Sequence, residues 1–355
     1  SSAVPWRTCS ATSWRRCTRD GSCDAHPTSR VGRPVILIFA QEVPTAIEKF
    51  ANATYSGLAL GAIYALLALG LVLIYKATQI LNFAHGALAA LGGYFAAYLA
   101  VTLNVPGRWF PGLPVTLQWI LSAILAVLAA AAVGWLIERI AIRPMIGEPL
   151  FAVVLITIAL DIIIRTVTDD FIGTNPRPLG TPWGSEVVQI GPGLIAKAEI
   201  ATIVVAIVCL IGMAWFFRTR IGVAMRATAF DQEAAMAQGI SAGRIFSLAW
   251  MIGAGLAAIA GIFSSVFPRS VGVSAATAFF AFRALPAVVI GGLDSITGAV
   301  AGGFIIGLAE VYAGAYLEFS FLGTGFAGIM PYIVMLAVLL VRPYGLFGTE
   351  EVRRV

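Results

Sequence analysis

Asn82 and His85 break the apolar stretch QILNFAHGALAALGGY, residues 79–94, and Asp161 and Asp294 stand in or beside two other apolar runs. An amide both donates and accepts hydrogen bonds, and an imidazole adds a proton that exchanges near neutral pH. At membrane depth such groups are costly unless they meet a partner or a wet cavity, so they are candidates for a permeation path. Asn82 and His85 fall between the end of one apolar run and the start of the next, which is the spacing of a broken helix. At a break, freed backbone groups and the positive end of the following half-helix can receive a carboxylate. The structural alternative is that Asn82 caps a helix beginning near residue 83 and His85 bonds a carbonyl at a turn. On the first reading Asn82, His85 and Gly86 line the inner part of a pathway. A second short apolar segment, ending in Gly291, Gly292 and Asp294 before a small-residue helix, offers a comparable break.

Other chemistries fail on residue pattern. Two carboxylates sharing one proton could do acid–base proteolysis. The GGLDS sequence around Asp294 lacks the glycine pattern of intramembrane aspartyl proteolysis, and Asp161 and Asp294 read as helix caps. No Gly-x-x-x-x-Gly-Lys-Ser/Thr loop and no His-Glu-x-x-His occurs, so phosphate-loop ATP hydrolysis and zincin chemistry are not encoded. Cys9, Cys17, Cys23 and Cys209 have no metal-site spacing, and the histidines are only His26 and His85.

The elements that must hold these residues are membrane spans. The chain is 59% hydrophobic and 12% charged, with mean hydropathy +0.90, about half the charge that a soluble surface carries. Continuous apolar runs bounded by Arg, Pro and Gly predict helices crossing a hydrocarbon core of about 30 Å. Runs without period-two alternation exclude a β-barrel. The fold class is an all-α, polytopic transmembrane helical bundle of about eight or nine membrane segments, one of them short or broken. The predicted spans are 52–75, 86–101, 119–138, 151–167, 198–217, 245–267, a short 279–293, 295–316 and 326–341.

The net charge of +5 matters through its distribution. With the 218–244 loop in the cytoplasm, that side holds Lys76, Arg139, Arg143, Arg218, Arg220, Arg226, Arg244, Arg342, Arg353 and Arg354. The opposite side holds Arg108, Arg177, Lys197, Arg269 and Arg283, with Arg165 near a helix end. The bias favours this orientation, with an odd number of crossings. The outer loop 168–197, dense in Pro and Gly, is expected to form turns rather than a regular element. Residues 1–50 are expected to be a poorly ordered basic extension outside the working protein, 51–348 the membrane domain and 349–355 a short cytoplasmic tail. The Gly57/Gly61, Gly298/Gly302 and Gly303/Gly307 pairs predict close helix packing.

The cytoplasmic stretch 217–246 is too long for a turn and too polar for the bilayer. Ala, Met, Gln and Glu over 231–238 favour a short helix, with Asp231 as its N-cap and Gly239 as its end. Such a helix suits the groove of another protein.

DQEAAMAQGI, 231–240, resembles the cytoplasmic coupling motif of ATP-binding-cassette importer permeases, with Glu233, Ala234, Ala235 and Gly239 matching by position. The Ile-x-Leu-Pro that often follows is replaced here by FSLAW. GLALGAIYALLALGLVLIY (57–75), LNFAHGALAALGGY (81–94), ALPAVVIGGLDSITGAVAGGFIIGLAE (284–310) and RPYGLFG (342–348) resemble the H-type permease subunit of branched-chain amino acid transporters. The resemblance spans roughly 52–348. It implies a non-enzymatic transport subunit of the bacterial cytoplasmic membrane. It also implies a second permease subunit, favouring a heterodimer, two cytoplasmic ATPase subunits and an extracytoplasmic substrate-binding protein. ATP and Mg²⁺ would belong to those ATPases, with no cofactor on this chain. Arg226, Asp231, Glu233, Ala234, Ala235 and Gly239 are then the candidate ATPase-coupling residues. The implied substrates are branched-chain amino acids. Urea or short-chain amides are the alternative within the family, and a stand-alone channel or secondary transporter is the alternative outside it.

Overall fold

A computed structural model describes residues 45–173, 175–267, 272–274, 276–317 and 325–348, and the fold is that of the unit from Pro44 onward. The expected N-terminal extension lies outside the described residues up to position 44. Seven described helices are long and apolar enough to cross a membrane, and two shorter apolar segments, Ala276–Gly291 and Phe326–Val341, accompany them. The chain is an all-α polytopic membrane bundle.

Helix α1, Ala46–Thr78, opens on a capping box in which the Thr45 hydroxyl accepts from Glu48 N and the Glu48 carboxylate accepts from Thr45 N. The helix therefore starts earlier than the span predicted at 52, and the expected boundary at residue 50 falls inside it. At about 1.5 Å per residue it runs near 50 Å, longer than the hydrocarbon core. It is apolar all round, and residues from Ala59 to Ile74 are almost wholly buried. A helix of that kind belongs at the centre of a bundle. Its neighbours include α12 (Ile296–Tyr316), α9 (Ala242–Ser264) and α6 (Lys197–Phe216).

The glycine pairs carry the closest of these contacts. Gly57 faces Leu308, Gly61 faces Phe304, and Gly303 faces Ala65, so α1 and α12 run antiparallel. A Cβ on Gly307 would stand 2.3 Å from the Gly61 Cα, and one on Gly298 would stand 1.9 Å from the Gly291 carbonyl oxygen. Gly302 meets the Ala287 backbone in the same way. Apolar lipid gives helices no hydrophobic reason to associate, so this backbone approach supplies the dispersion contact.

Helices α2 (His85–Ala97), α3 (Val105–Trp109), α4 (Val115–Ile137) and α5 (Leu150–Ile172) follow. Within α5 and α6 only 22% of the most apolar window is buried by this chain, which leaves their apolar flanks for lipid or another subunit. Asp161 lies near the middle of α5, with Arg165 one turn on. It is not a cap, and Arg165 is inside the helix rather than near its end.

Two further expectations are corrected. The 168–197 loop contains a hairpin of β1 (Val187–Ile190) and β2 (Gly193–Ala196), paired antiparallel through Val187 to Ala196. It rests on the start of α1, where Tyr55 OH donates to Ile190 O and Leu194 N donates to the Asn52 side chain. The 218–244 loop holds not one helix but two, α7 (Arg220–Phe230) and α8 (Gln232–Ala237).

After α9 the chain forms α10 (Ala276–Phe280), a 3₁₀ turn at Ala281–Ala284 and α11 (Leu285–Gly291). Arg283, expected in an outer loop, is instead part of this broken segment. Helix α12 and then α13 (Met330–Val341) complete the described chain.

Candidate functional site

The break at residues 79–84 reaches deep into the bundle. Gln79 ends α1 in the left-handed region at φ 58°, and α2 begins at His85. The His85 ring lies against α1 at Leu67 and Gly70. That places the start of α2 about 16 Å along α1 from Thr78, at about 1.5 Å per residue. It is therefore not a surface turn.

The His85 Nε2 lies 3.1 Å from Leu67 O. A carbonyl only accepts, so Nε2 carries the proton, and in the neutral ring Nδ1 is a bare acceptor. Nδ1 has no partner, and His85 is 2% exposed. Asn82, 1% exposed, accepts from Ala84 N at 3.0 Å through Oδ1, while its Nδ2 is also unpartnered. The N-cap position itself is Ala84, which makes no side-chain cap. Asn82 thus turns the backbone just ahead of α2 rather than capping it in the usual position.

Gly86 packs against the second broken segment, where a Cβ would stand 2.2 Å from the Ala278 carbonyl oxygen. Leu71, Asn82, Phe83, His85, Gly86, Ala281, Phe282 and Leu285 line a small cleft there, with room for about one water. Two broken helices therefore meet inside the bundle around an amide and an imidazole that still have unused polar atoms.

Charged side chains flank the two broken segments. The Asp161 carboxylate accepts from Arg165 and faces the backbone N–H of Ala87 in the first turn of α2. A carboxylate is favoured at that positive end. The Arg165 guanidinium lies 4.6 Å from the Phe279 ring centroid, a cation–π contact. On the other side, Glu310 accepts from Arg283 Nη1 at 2.9 Å and from Tyr64 OH at 2.6 Å. Glu310 was visible as a carboxylate within an apolar run, and the i,i+4 spacing of Asp161 and Arg165 was also visible. What no local pattern marks is the contact between Arg283 and Tyr64's partner Glu310, far apart in sequence.

Gly291, Gly292 and Asp294 gather elsewhere, at the start of α12. Gly292 has φ +94° and leaves no room for a Cβ beside Gly348. Lys76 donates to Asp294 O at 3.0 Å, and Leu346 N donates to Ile290 O at 2.7 Å. The RPYGLFG stretch thus closes under this turn. The pathway candidates therefore form two groups, Asn82, His85 and Gly86 inside the bundle, and Gly291, Gly292 and Asp294 at the end of α1.

The coupling candidates form a third group. Asp231 accepts from Ala234 N at 2.9 Å and so caps α8, and Gly239 has φ +81° beyond its end. Arg226 donates to Phe217 O at 3.1 Å, which holds α7 against the end of α6. Glu233 and Ala234 are exposed and Ala235 is buried. Phe230, the last residue of α7, is 95% exposed. Gln232 lines a cleft of about 220 Å³ together with Gln79 and Ile80, where the break begins. A network behind it ties the end of α4 to α9: Arg143 donates to Glu138, Gly243 O and Ser247, and Ser247 donates to Glu138.

A family model described as the permease component of branched-chain amino acid transport systems matches residues 53–340. This chain belongs to that permease family. The high-affinity branched-chain amino acid transport permease LivH of Salmonella typhimurium is 30% identical over 86% of this chain and 98% of its own length. BraD of Pseudomonas aeruginosa is 31% identical over 84% of this chain and 96% of its own. A probable LivH of Methanocaldococcus jannaschii is 30% identical over 80% of this chain and 88% of its own. This permease is therefore a multi-pass membrane component of a transport system. The matched region covers both breaks, the α7–α8 segment and the Arg283–Glu310 pair.

Proposed function

We propose that this permease is the membrane subunit of an ATP-binding-cassette importer that carries branched-chain amino acids across the bacterial cytoplasmic membrane. A second permease subunit, favoured to be a different chain, would complete the path. Two cytoplasmic ATPases would bind and hydrolyse ATP with Mg²⁺, and an extracytoplasmic protein would deliver substrate. The observation that carries this reading is the α7–α8 segment. Asp231 fixes the start of α8, Glu233 and Ala234 face outward, and Phe230 stands almost fully exposed next to them. An exposed aromatic beside a short capped helix is the form expected of an anchor for a partner's groove.

The same segment reaches the first break. Gln232 of α8 shares its cleft with Gln79 and Ile80, so displacing α8 would pull on the chain that leads to Asn82 and His85. In this reading the closed cleft at His85 is the inner gate. Substrate passes when the two broken segments part, and the unused His85 Nδ1 and Asn82 Nδ2 then offer it an acceptor and a donor. Free energy from ATP arrives only through the protein contacts at α8, because the chain has no phosphate-binding loop of its own.

The test is purification of the chain with its partner subunits, followed by uptake of labelled leucine, isoleucine, valine and urea into proteoliposomes loaded with ATP. Co-purification of the ATPases and ATP-dependent uptake of an amino acid are expected. Uptake of urea alone would move the substrate to the amide branch, and uptake without ATPase subunits would end the importer reading.

A further inference from the structure

Arg283 is a guanidinium held inside the spanning region with most of its hydrogen-bonding capacity unspent. It sits in the 3₁₀ turn at the centre of the broken segment, next to Phe282, which closes the cleft at Asn82 and His85. Its Nη1 donates to Glu310 at 2.9 Å, and the guanidinium also interacts with the Tyr64 hydroxyl, which leaves further N–H donors on its outer edge. A guanidinium offers five N–H donors in a planar fork. Glu310 receives Tyr64 as well as Arg283, and both residues lie within long spans, on α12 and α1. The ion pair is thus anchored on two helices while the arginine's outer edge stays open, its side chain 31% exposed against 9% for Glu310.

That open edge has a defined surrounding. Gly328 faces it, and a Cβ there would stand 3.2 Å from Nη2. The Phe280 ring lies under the guanidinium at 6.0 Å. An arginine within membrane spans with donors to spare is not stable facing hydrocarbon, so this edge must face water or a polar ligand. A carboxylate fits a planar fork in bidentate fashion with an opposite charge, whereas a neutral amide offers one oxygen and no countercharge.

We propose that Arg283 recognises the α-carboxylate of the transported amino acid, with Glu310 and Tyr64 positioning the guanidinium. The assignment rests on the amino-acid importer reading and supplies this chain's own discrimination of an amino acid from urea. Substrate passing the parted segments meets Arg283 beside the gate at Phe282, and the carboxylate occupies the donors that Glu310 leaves open.

A purely structural ion pair would place Arg283 and Glu310 in equivalent roles, so exchanging them separates the two accounts. The complete importer complex is prepared as wild type, as Arg283→Gln, and as the double exchange Arg283→Glu with Glu310→Arg. Initial rates of leucine uptake are measured beside complex yield and basal ATP hydrolysis. The expected result is loss of uptake by about tenfold or more in both variants, with the double exchange still assembling into the complex. Recovery of uptake in the double exchange, or normal uptake with Arg283→Gln, overturns the proposal. If the variants fail to assemble, phenylglyoxal labelling of Arg283 in the wild-type complex decides. Protection by leucine but not by isoamylamine, which lacks the carboxylate, supports it, and equal labelling throughout overturns it. A wild-type complex that imports no amino acid contradicts the functional reading itself and leaves a distinct signature, since no variant is then needed.

Discussion

His85 combines two features seldom found together, full burial and an unused ring nitrogen. Its Nε2–H is committed to Leu67 O, and Gly70 makes room for the ring, since a Cβ there would stand 2.9 Å from Cε1. His85→Ala removes the acceptor and opens a void, whereas Gln retains both a donor and an acceptor. Loss of one such buried polar interaction is worth about 1–3 kcal/mol, so uptake is expected to fall about tenfold in the Ala variant and partly recover in Gln. Yield and ATPase co-purification should stay unchanged, and normal uptake in His85→Ala would remove His85 from the pathway. Glu138 gives a contrasting case. It is wholly buried and accepts from both Arg143 and Ser247, which link α4 to the start of α9. Glu138→Ala removes the carboxylate from Arg143, which keeps its bonds to Gly243 O and Ser247 and is 31% exposed, so about 1–3 kcal/mol of stability is expected to be lost. Thermal unfolding of the purified complex should register it, and an unchanged midpoint would count against the network.

At the scale of elements, the bundle is organised by where backbones touch. The α1–α12 contact leaves no space at Gly61 and Gly307, where the opposing atoms are backbone and do not rotate away. Gly307→Leu is therefore expected to cost more than the ~1–3 kcal/mol of ordinary overpacking and to abolish accumulation of the folded chain. Gly212 has nothing near its missing Cβ, and Gly212→Leu should be tolerated. Equal levels of both variants in membranes would refute the packing account. Element positions were largely legible because each span is a continuous apolar run whose ends carry turn residues. The predicted span 295–316 and the observed Ile296–Tyr316 differ by one residue at the start. The β-hairpin was not, since the Pro and Gly density over 168–197 pointed to irregular turns, while the strands are only four residues each. Helix α7 was missed for a similar reason, its RIGVAMRATAF composition mixing charge with β-branched residues.

The whole molecule reads as one part of a larger machine. Apolar side chains on α5 and α6 face outward, while two ion pairs, Asp161–Arg165 and Glu310–Arg283, lie within the spanning region and are partly open. The existence of the first break was legible from Asn82 and His85, but its depth was not. Depth depends on the His85 contact with Leu67, a tertiary fact that no local pattern encodes. Helix α8 was legible because its cap, its helix formers and its terminal glycine are adjacent in sequence. The pairing of Arg283 with Glu310 was not, because each charge viewed alone suits a loop or a helix end. In the proposed importer, free energy would enter through α8, whose Glu233 is exposed. The most direct measurement is ATP-driven leucine uptake by the reconstituted complex carrying Glu233→Arg, run beside wild type with membrane level and complex yield recorded. The account predicts a normally inserted permease whose ATPase partners are lost or uncoupled and whose uptake falls to background. Uptake at the wild-type rate in that variant would contradict it.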